Sequence, residues 1–397
     1  MNCYLDNAAT TRVSDRVLEV MQKAFTTDYG NPSSKHIKGM EAENLIKNAA
    51  SIIADSLKCK PKNLVFTSGG TESNNMALVG SALALKRRGN HIIASGFEHA
   101  SVYNPLLSLE EFGFKIDFAP VDSLGHIKLE ELLEMMTDET ILVSVMYVNN
   151  EIGAVQNIAA ISKAIKAKKP DVVFHVDAIQ AYGKYVINPQ KEGIDLLSVS
   201  GHKIHGPKGS GFLYIADGVR VKPIILGGGQ QKDMRSGTEN VPAIAGLGEA
   251  VREIYEDHRA KFDRLYELKT HFIERISEVE GATVNGVSYE EGTGHESLLS
   301  VVKATAPHIV SVSFKGIKSE VLLHALEEKE IYVSSGSACS SNHPGISGTL
   351  KAIGVSKELL DSTLRFSFNT GTSAEEVDYC IEALKELVPK YARFQRK

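Results

Sequence analysis

A lysine set among glycines, serine and histidine is the first residue in this chain whose surroundings suggest covalent chemistry. Lys203 lies in SVSGHKIHGPKGSGFLY, after a predicted strand and before a Gly/Pro-rich turn. An amine held on a rigid turn can form an imine with a carbonyl cofactor. An arbitrary loop lysine is merely solvated, but here Ser200 and His202 add donors for an anion, and Gly201 allows close backbone approach. In TSGGTESNN (67–75) a glycine pair joins a strand to a helix, so the first backbone N–H groups of that helix form an anion cradle, to which Thr71 adds a hydroxyl. Such turns also occur as plain structure, and the Gly-Lys-Ser/Thr ending of a P-loop is absent. Asp177 closes the apolar run VVFHVD. A carboxylate there is costly unless paired, and the carboxyl edge of a doubly wound sheet is where ligands bind. Its plain alternative is a helix N-cap. His99 in GFEHAS and Asn150 in VNNEIGAVQ also follow apolar strands, although a lone histidine is more often structural. Cys339, in SSGSACSSNHPGISG, has the small polar neighbours of an exposed reactive thiol rather than the apolar ones of an inert thiol. Cys3, Cys59 and Cys380 read as structural.

These residues must be held by an α/β frame. NLVFT (63–67), HIIAS (91–95), TILVSVMYV (140–148), VVFHVD (172–177), LLSVS (196–200) and GFLYI (211–215) read as strands. The almost continuous apolar runs among them are those of strands covered on both faces. SNNMALVGSALALKRR and IAAISKAIKAKK between them have helical spacing. The alternation predicts a largely parallel sheet. From about residue 255 the texture changes. EIYEDHRAKFDRLYELKTHFIERI reads as one long amphipathic helix. HIVSVSF (308–314), a helix around SEVLLHALEEK, IYVSS, STLRFSF (362–368) and a last helix AEEVDYCIEALKELV follow, as a smaller α+β unit. The first dozen residues are expected to pack with it or across the boundary. LGGGQQKDMRSGTEN (226–240) is the one long loop-like stretch in the first unit, and loops that long are often functional.

At 397 residues the chain has room for two or three domains, or for one large domain with an appendage. It can bury a core without disulfide or metal staples. Lys+Arg is 44 against Asp+Glu 49, so no global basic field invites nucleic acid. No apolar run reaches the roughly 18 residues that span a bilayer. MNCYLDNAATTRV lacks the basic-then-apolar pattern of an export signal. No cysteine pair has zinc-site spacing, and no metal is expected. Four scattered thiols fit a reducing cytosol. Taken together, the lysine, the strand-end carboxylate and the anion cradle suit pyridoxal phosphate, which needs an imine partner, a carboxylate on its ring nitrogen and a phosphate site.

In order and spacing, YLDNAATT, GNPSSKH, TSGGTESNN, VNNEIGAVQ, HVDAIQ, SGHKIHGPKG, RSGTEN, SSGSAC and LRFSF resemble the group I cysteine desulfurases. These are NifS/IscS-like members of aminotransferase class V, of the fold-type I pyridoxal-phosphate enzymes. The long stretch between SSGSAC and LKAIG looks like group I rather than the shorter loop of the SufS-like group. The resemblance implies a large PLP-binding domain (15–255) with a mainly parallel seven-stranded sheet covered by helices. A smaller α+β domain (1–14 and 256–397) would carry the catalytic cysteine loop. It implies that Lys203 binds the cofactor and moves the substrate Cα proton, and that Asp177 holds the ring nitrogen. His99 would stack on the ring and assist proton transfer. Gln180 would bond the ring 3′-oxygen, and Gly70, Thr71, Ser200 and His202 would hold the phosphate. Asn150 and Arg365 would bind the substrate carboxylate, Arg365 as a bidentate fork. Cys339 would take the sulfur of L-cysteine as a persulfide, releasing L-alanine. Thr238, in RSGTEN, would reach the phosphate of the neighbouring subunit in a homodimer. Partners would be a sulfur acceptor such as an Fe–S scaffold or a thiouridylase, in the cytoplasm. Rival readings are selenocysteine lyase, a small-substrate aminotransferase, or a non-catalytic protein that keeps the fold. The chain departs from the family pattern at Asn342-His343-Pro344-Gly345-Ile346-Ser347 after the cysteine, at Asn369-Thr370 after LRFSF, and at Met40.

Overall fold

The computed structural model describes residues 1–290, 292–335 and 347–392. A two-residue strand, β1 (Cys3–Tyr4), opens the chain. The apolar runs then form β2 (Leu64–Thr67), β3 (His91–Ser95), β4 (Lys115–Ala119), β5 (Thr140–Met146), β6 (Val173–Asp177), β7 (Leu196–Ser200) and β8 (Gly211–Ile215). They make one sheet in the order β2-β8-β7-β6-β5-β3-β4, parallel except for β8, which runs against both β2 and β7. Every residue of β5, β6 and β7 is buried, which accounts for their unbroken apolar runs. β4 is the strand that reading for apolar runs passes over. It lies at the sheet edge, and Lys115 and Asp117 break its pattern.

Helices cover both faces. α1 (Asp15–Thr26) starts where the Ser14 hydroxyl accepts the Val17 N–H. α2 (Ile37–Leu57) packs so closely on the helix Val241–Tyr255 that a Cβ on Gly248 would sit 2.8 Å from Ala49 Cα. α3 (Gly70–Leu85) follows β2, and α4 (Ala100–Glu110) follows β3. The expected long helix around residues 253–276 is in fact two, Val241–Tyr255 and His258–Ile276. Asp257 between them is left-handed, with φ 48°. Apolar spacing continues across the break, so periodicity alone cannot see it.

The remaining strands are β9 (Ala282–Asn285), β10 (Ile309–Phe314), β11 (Ile331–Tyr332), β12 (Ser334–Ser335) and β13 (Thr363–Ser367). An antiparallel sheet β12-β13-β10-β9 packs on His258–Ile276 and Ala374–Ala392, and β11 pairs in parallel with β1. Phe272 joins the two layers, its ring centroid 4.9 Å from that of Phe366 and 5.6 Å from that of Phe368. Truncating such a fully buried phenylalanine costs about 3–5 kcal/mol. Cys3 and Leu5 are buried in this second core, whereas Ala8 belongs to the core under the large sheet. Residues 5–8 therefore cross from one core to the other along the carboxyl ends of the strands. Asp6 bridges Ser367 on the way.

Candidate active site

The carboxyl ends of β5 and β6 set Met146 beside Asp177, with Ser200 closing β7. Around them lies a cavity of about 260 Å³, bordered by Ala8, Ala9, Gly70, Thr71, His99, Asn150, Asp177, Gln180, Ser200, His202, Lys203 and Arg365. Residues far apart in the chain thus converge on one space.

Lys203 ends a single 3-10 turn after β7. Its Nζ donates to the carbonyls of Ala8 and Ala9, both at 2.6 Å, so the ammonium is steered to the cavity wall. Its own carbonyl accepts from Lys184 Nζ at 2.5 Å. Burial and, second, the nearby Lys203 charge push the Lys184 ammonium down to about 7. Asp177 is buried. Its Oδ2 accepts from Asn74 Nδ2 at 2.8 Å and its Oδ1 from the Ile179 N–H at 2.9 Å. Burial raises this carboxyl above its usual range, against the pull of those donors and of His99 and Lys203. The N-cap alternative does not hold, because turns rather than an α-helix follow β6. Close by, the Glu98 carboxyl accepts from the Met146 N–H at 2.7 Å and from the Ser95 hydroxyl. Burial, the largest cause, pushes it up to about 8.

His99 has a structural duty as well as a place in the cavity. It is the N-cap of α4, its Nδ1 accepting the Ser101 N–H at 3.1 Å, so the proton of the neutral ring sits on Nε2. Burial lowers its basicity and keeps it neutral. Asn74 ties this corner together by donating to both Ser101 Oγ and Asp177. Opposite, α3 begins at Gly70 with no side chain capping it, since its N-cap is Gly69 at φ 146°. A Cβ on Gly70 would strike Ile179 Cδ1 at 2.2 Å. An uncapped helix start facing Ser200 and His202 is a built anion cradle.

Arg365 arrives from β13. Its Nη1 donates to the Asn150 carbonyl at 2.8 Å and its Nη2 to Asp6 Oδ1 at 2.9 Å. Its buried Nε has no partner among the described residues. Thr238 does not border this cavity. It is exposed on the 226–240 loop, which is pinned by the Gln231 amide on the Phe66 backbone and by Arg235 on Glu72 at 2.8 Å. Cys339 and the departures Asn342 to Ile346 lie outside the described residues. Of the other departures, Met40 is exposed on α2, and Asn369 donates to Asn7 Oδ1 at 2.8 Å.

Reading the sequence for roles passes over Asn74, Ser101, Asp6 and the Ala8 and Ala9 carbonyls. Asn74 carried a usable signal, one helical turn beyond Gly70 in a motif already singled out. A backbone carbonyl carries none.

The fold and the site define a class before they define a member. Residues 3–380 match the aminotransferase class-V family, and the chain belongs to it. It is 42% identical over 390 residues to a cysteine desulfurase IscS of Escherichia coli O139:H28, covering 97% of this chain and 92% of that one. It is 39% identical over 391 residues to a cysteine desulfurase IscS of Dictyoglomus turgidum, covering 98% and 94%. A solved structure titled NifS-like protein superposes with a TM-score of 0.89 at 35% identity, covering 98% of this chain and all of that one.

Proposed function

We propose that the chain is a pyridoxal-phosphate-dependent cysteine desulfurase. The observation that carries this is the convergence of Lys203 Nζ, the buried Asp177 and the uncapped start of α3 on one cavity. The residues present fit the cofactor. Gly70, Thr71, Ser200 and His202 would hold its phosphate, Asp177 its ring nitrogen, Gln180 its 3′-oxygen, and His99 the ring face. Bound there, the cofactor supplies a carbonyl for the substrate amine and a sink for the electrons left at Cα.

The chain's own groups do the rest. As a carboxylate, Asp177 would favour a protonated ring nitrogen. Lys203 Nζ takes the Cα proton, and His99 Nε2–H stands ready to pass a proton on. Arg365 and Asn150 bind the substrate carboxylate. The Cys339 thiolate attacks the substrate Sγ, and the Sγ–Cβ bond breaks with its electrons left on carbon. The products are L-alanine and a Cys339 persulfide. The persulfide passes to an acceptor protein, an Fe–S scaffold or a thiouridylase, in the cytoplasm. Among the described residues no helix is long and apolar enough to cross a membrane.

The two cores support a division into a large domain at 15–255 and a small one formed by 1–14 and 256–397. Exposed apolar side chains gather on α1, on α2 and between them (Leu18, Phe25, Tyr29, Ile37, Met40), and Leu226 is 77% exposed on the Thr238 loop. This surface supports a homodimer in which Thr238 completes the partner's phosphate site. Anaerobic incubation of the loaded protein with L-cysteine tests the activity. Alanine release with one added sulfur on Cys339 is expected, and a loaded protein that yields neither rules the reading out. Co-expression of Lys203→Ala with Thr238→Glu tests the dimer. Activity returns in mixed dimers if Thr238 acts across subunits, and stays absent if it acts within one.

A further inference from the structure

Gln180 lies three residues beyond β6, and its side-chain amide is held on two sides. Nε2 donates to the Ala8 carbonyl at 2.9 Å, and Oε1 faces His308 Nε2 at 3.2 Å. An amide oxygen only accepts, so the hydrogen of this imidazole sits on Nε2. The reversed amide would press Oε1 against the Ala8 carbonyl, acceptor to acceptor. The two contacts therefore leave one orientation, and the second N–H of Nε2 remains for the cavity. His308 does not border that cavity. It is 2% exposed, immediately before β10, and its Nδ1 has no partner among the described residues. An unpaired buried acceptor is destabilising, so a residue kept only for packing would do better as an apolar one. Burial first, then Lys184, Lys269, Arg365 and Lys203, drive its basicity far down, so it stays a neutral donor.

We propose that His308 is a positioning residue that locks the Gln180 amide with an N–H, not a carbonyl, turned to the cavity, so that the site favours an anionic oxygen there. This rests on Gln180 being the partner of the cofactor 3′-oxygen. The test is a pH titration of the visible spectrum of the cofactor-loaded wild type, Gln180→Ala, His308→Leu and His308→Gln. A donor on the 3′-oxygen favours its anion, so removing it raises the titration midpoint. Gln180→Ala is expected to raise it by about half to one pH unit, the worth of one hydrogen bond. His308→Leu should give at least half that shift. His308→Gln, which returns an N–H to the same place, should restore most of it. A shifted Gln180→Ala beside an unshifted His308→Leu overturns the role of His308 and leaves Gln180 standing. An unshifted Gln180→Ala overturns both. If His308→Leu does not accumulate as folded protein, His308→Phe carries the same outcomes.

Discussion

Two lysines in this fold are held by the same kind of partner in two different regions. Lys203 Nζ donates to two backbone carbonyls on the cavity wall. Lys269 Nζ, in the second core, donates to Thr305 Oγ1 at 2.7 Å and to the Ala306 carbonyl at 2.8 Å. Lys269 is 0% exposed, and burial pushes its ammonium down to about 7. A perturbed amine is a common mark of a functional site, yet Lys269 is strongly perturbed and closed in on all sides. What sets Lys203 apart is the space before it, with a carboxylate and an anion cradle across that space. Satisfied acceptors hold an ammonium, but only an adjacent cavity with the complementary charges gives it a partner to react with.

Lys203→Ala breaks the comparison at its chemical end and has the largest expected effect. Alanine formation from L-cysteine should fall at least about a thousandfold. No cofactor should stay attached after borohydride reduction and denaturation, and the melting temperature should hardly move. Lys269→Met, by contrast, should leave turnover per folded molecule within about twofold, because that amine does not border the cavity and its hydrogen bonds go to Thr305 and Ala306. Equal losses in the two variants would show that the space argument is wrong. Asp177→Asn sharpens the same contrast. It keeps the shape but removes the charge, so hydrogen exchange at Cα of L-alanine in heavy water should slow by about a hundredfold or more. Cofactor occupancy should fall less. Equal falls in exchange and occupancy would make Asp177 a binding residue only.

The two lysines also mark how far the sequence could be read. Lys203 sits among Gly201, Ser200 and His202, and these chain neighbours are enough to single it out. Lys269 lies in YELKTHF on an amphipathic helix, where a lysine reads as surface. Its burial arises because Thr305 and Ala306, more than 30 residues away, fold over it. The strand-end residues were legible for the same reason as the strands, since apolar runs ending in Asp177 or Ser200 announce both. The edge strand β4, the left-handed break at Asp257 and the carbonyls of Ala8 and Ala9 were not. Each depends on tertiary pairing or on backbone atoms that every residue type shares.

The smallest expected effect is on stability, and its sign follows from Lys269 alone. Its ordinary value is 10.5, and in the fold it is lowered to about 7. Between these values the unfolded chain holds the proton and the folded chain has lost it. The unfolded state then binds more protons, so stability rises with pH across that window. Below it both states are charged, and the full penalty for burying the ammonium stands. Lys269→Met keeps most of the buried chain length and removes the titration, while Lys184, lowered in the same way, is present in both proteins and cancels. Urea unfolding should therefore show wild type gaining on Lys269→Met by about 2 kcal/mol from about pH 7 to pH 9, against a limit of about 1.4 kcal/mol per pH unit for one proton. A difference that stays flat with pH would mean that Thr305 Oγ1 and the Ala306 carbonyl are enough to keep this ammonium charged.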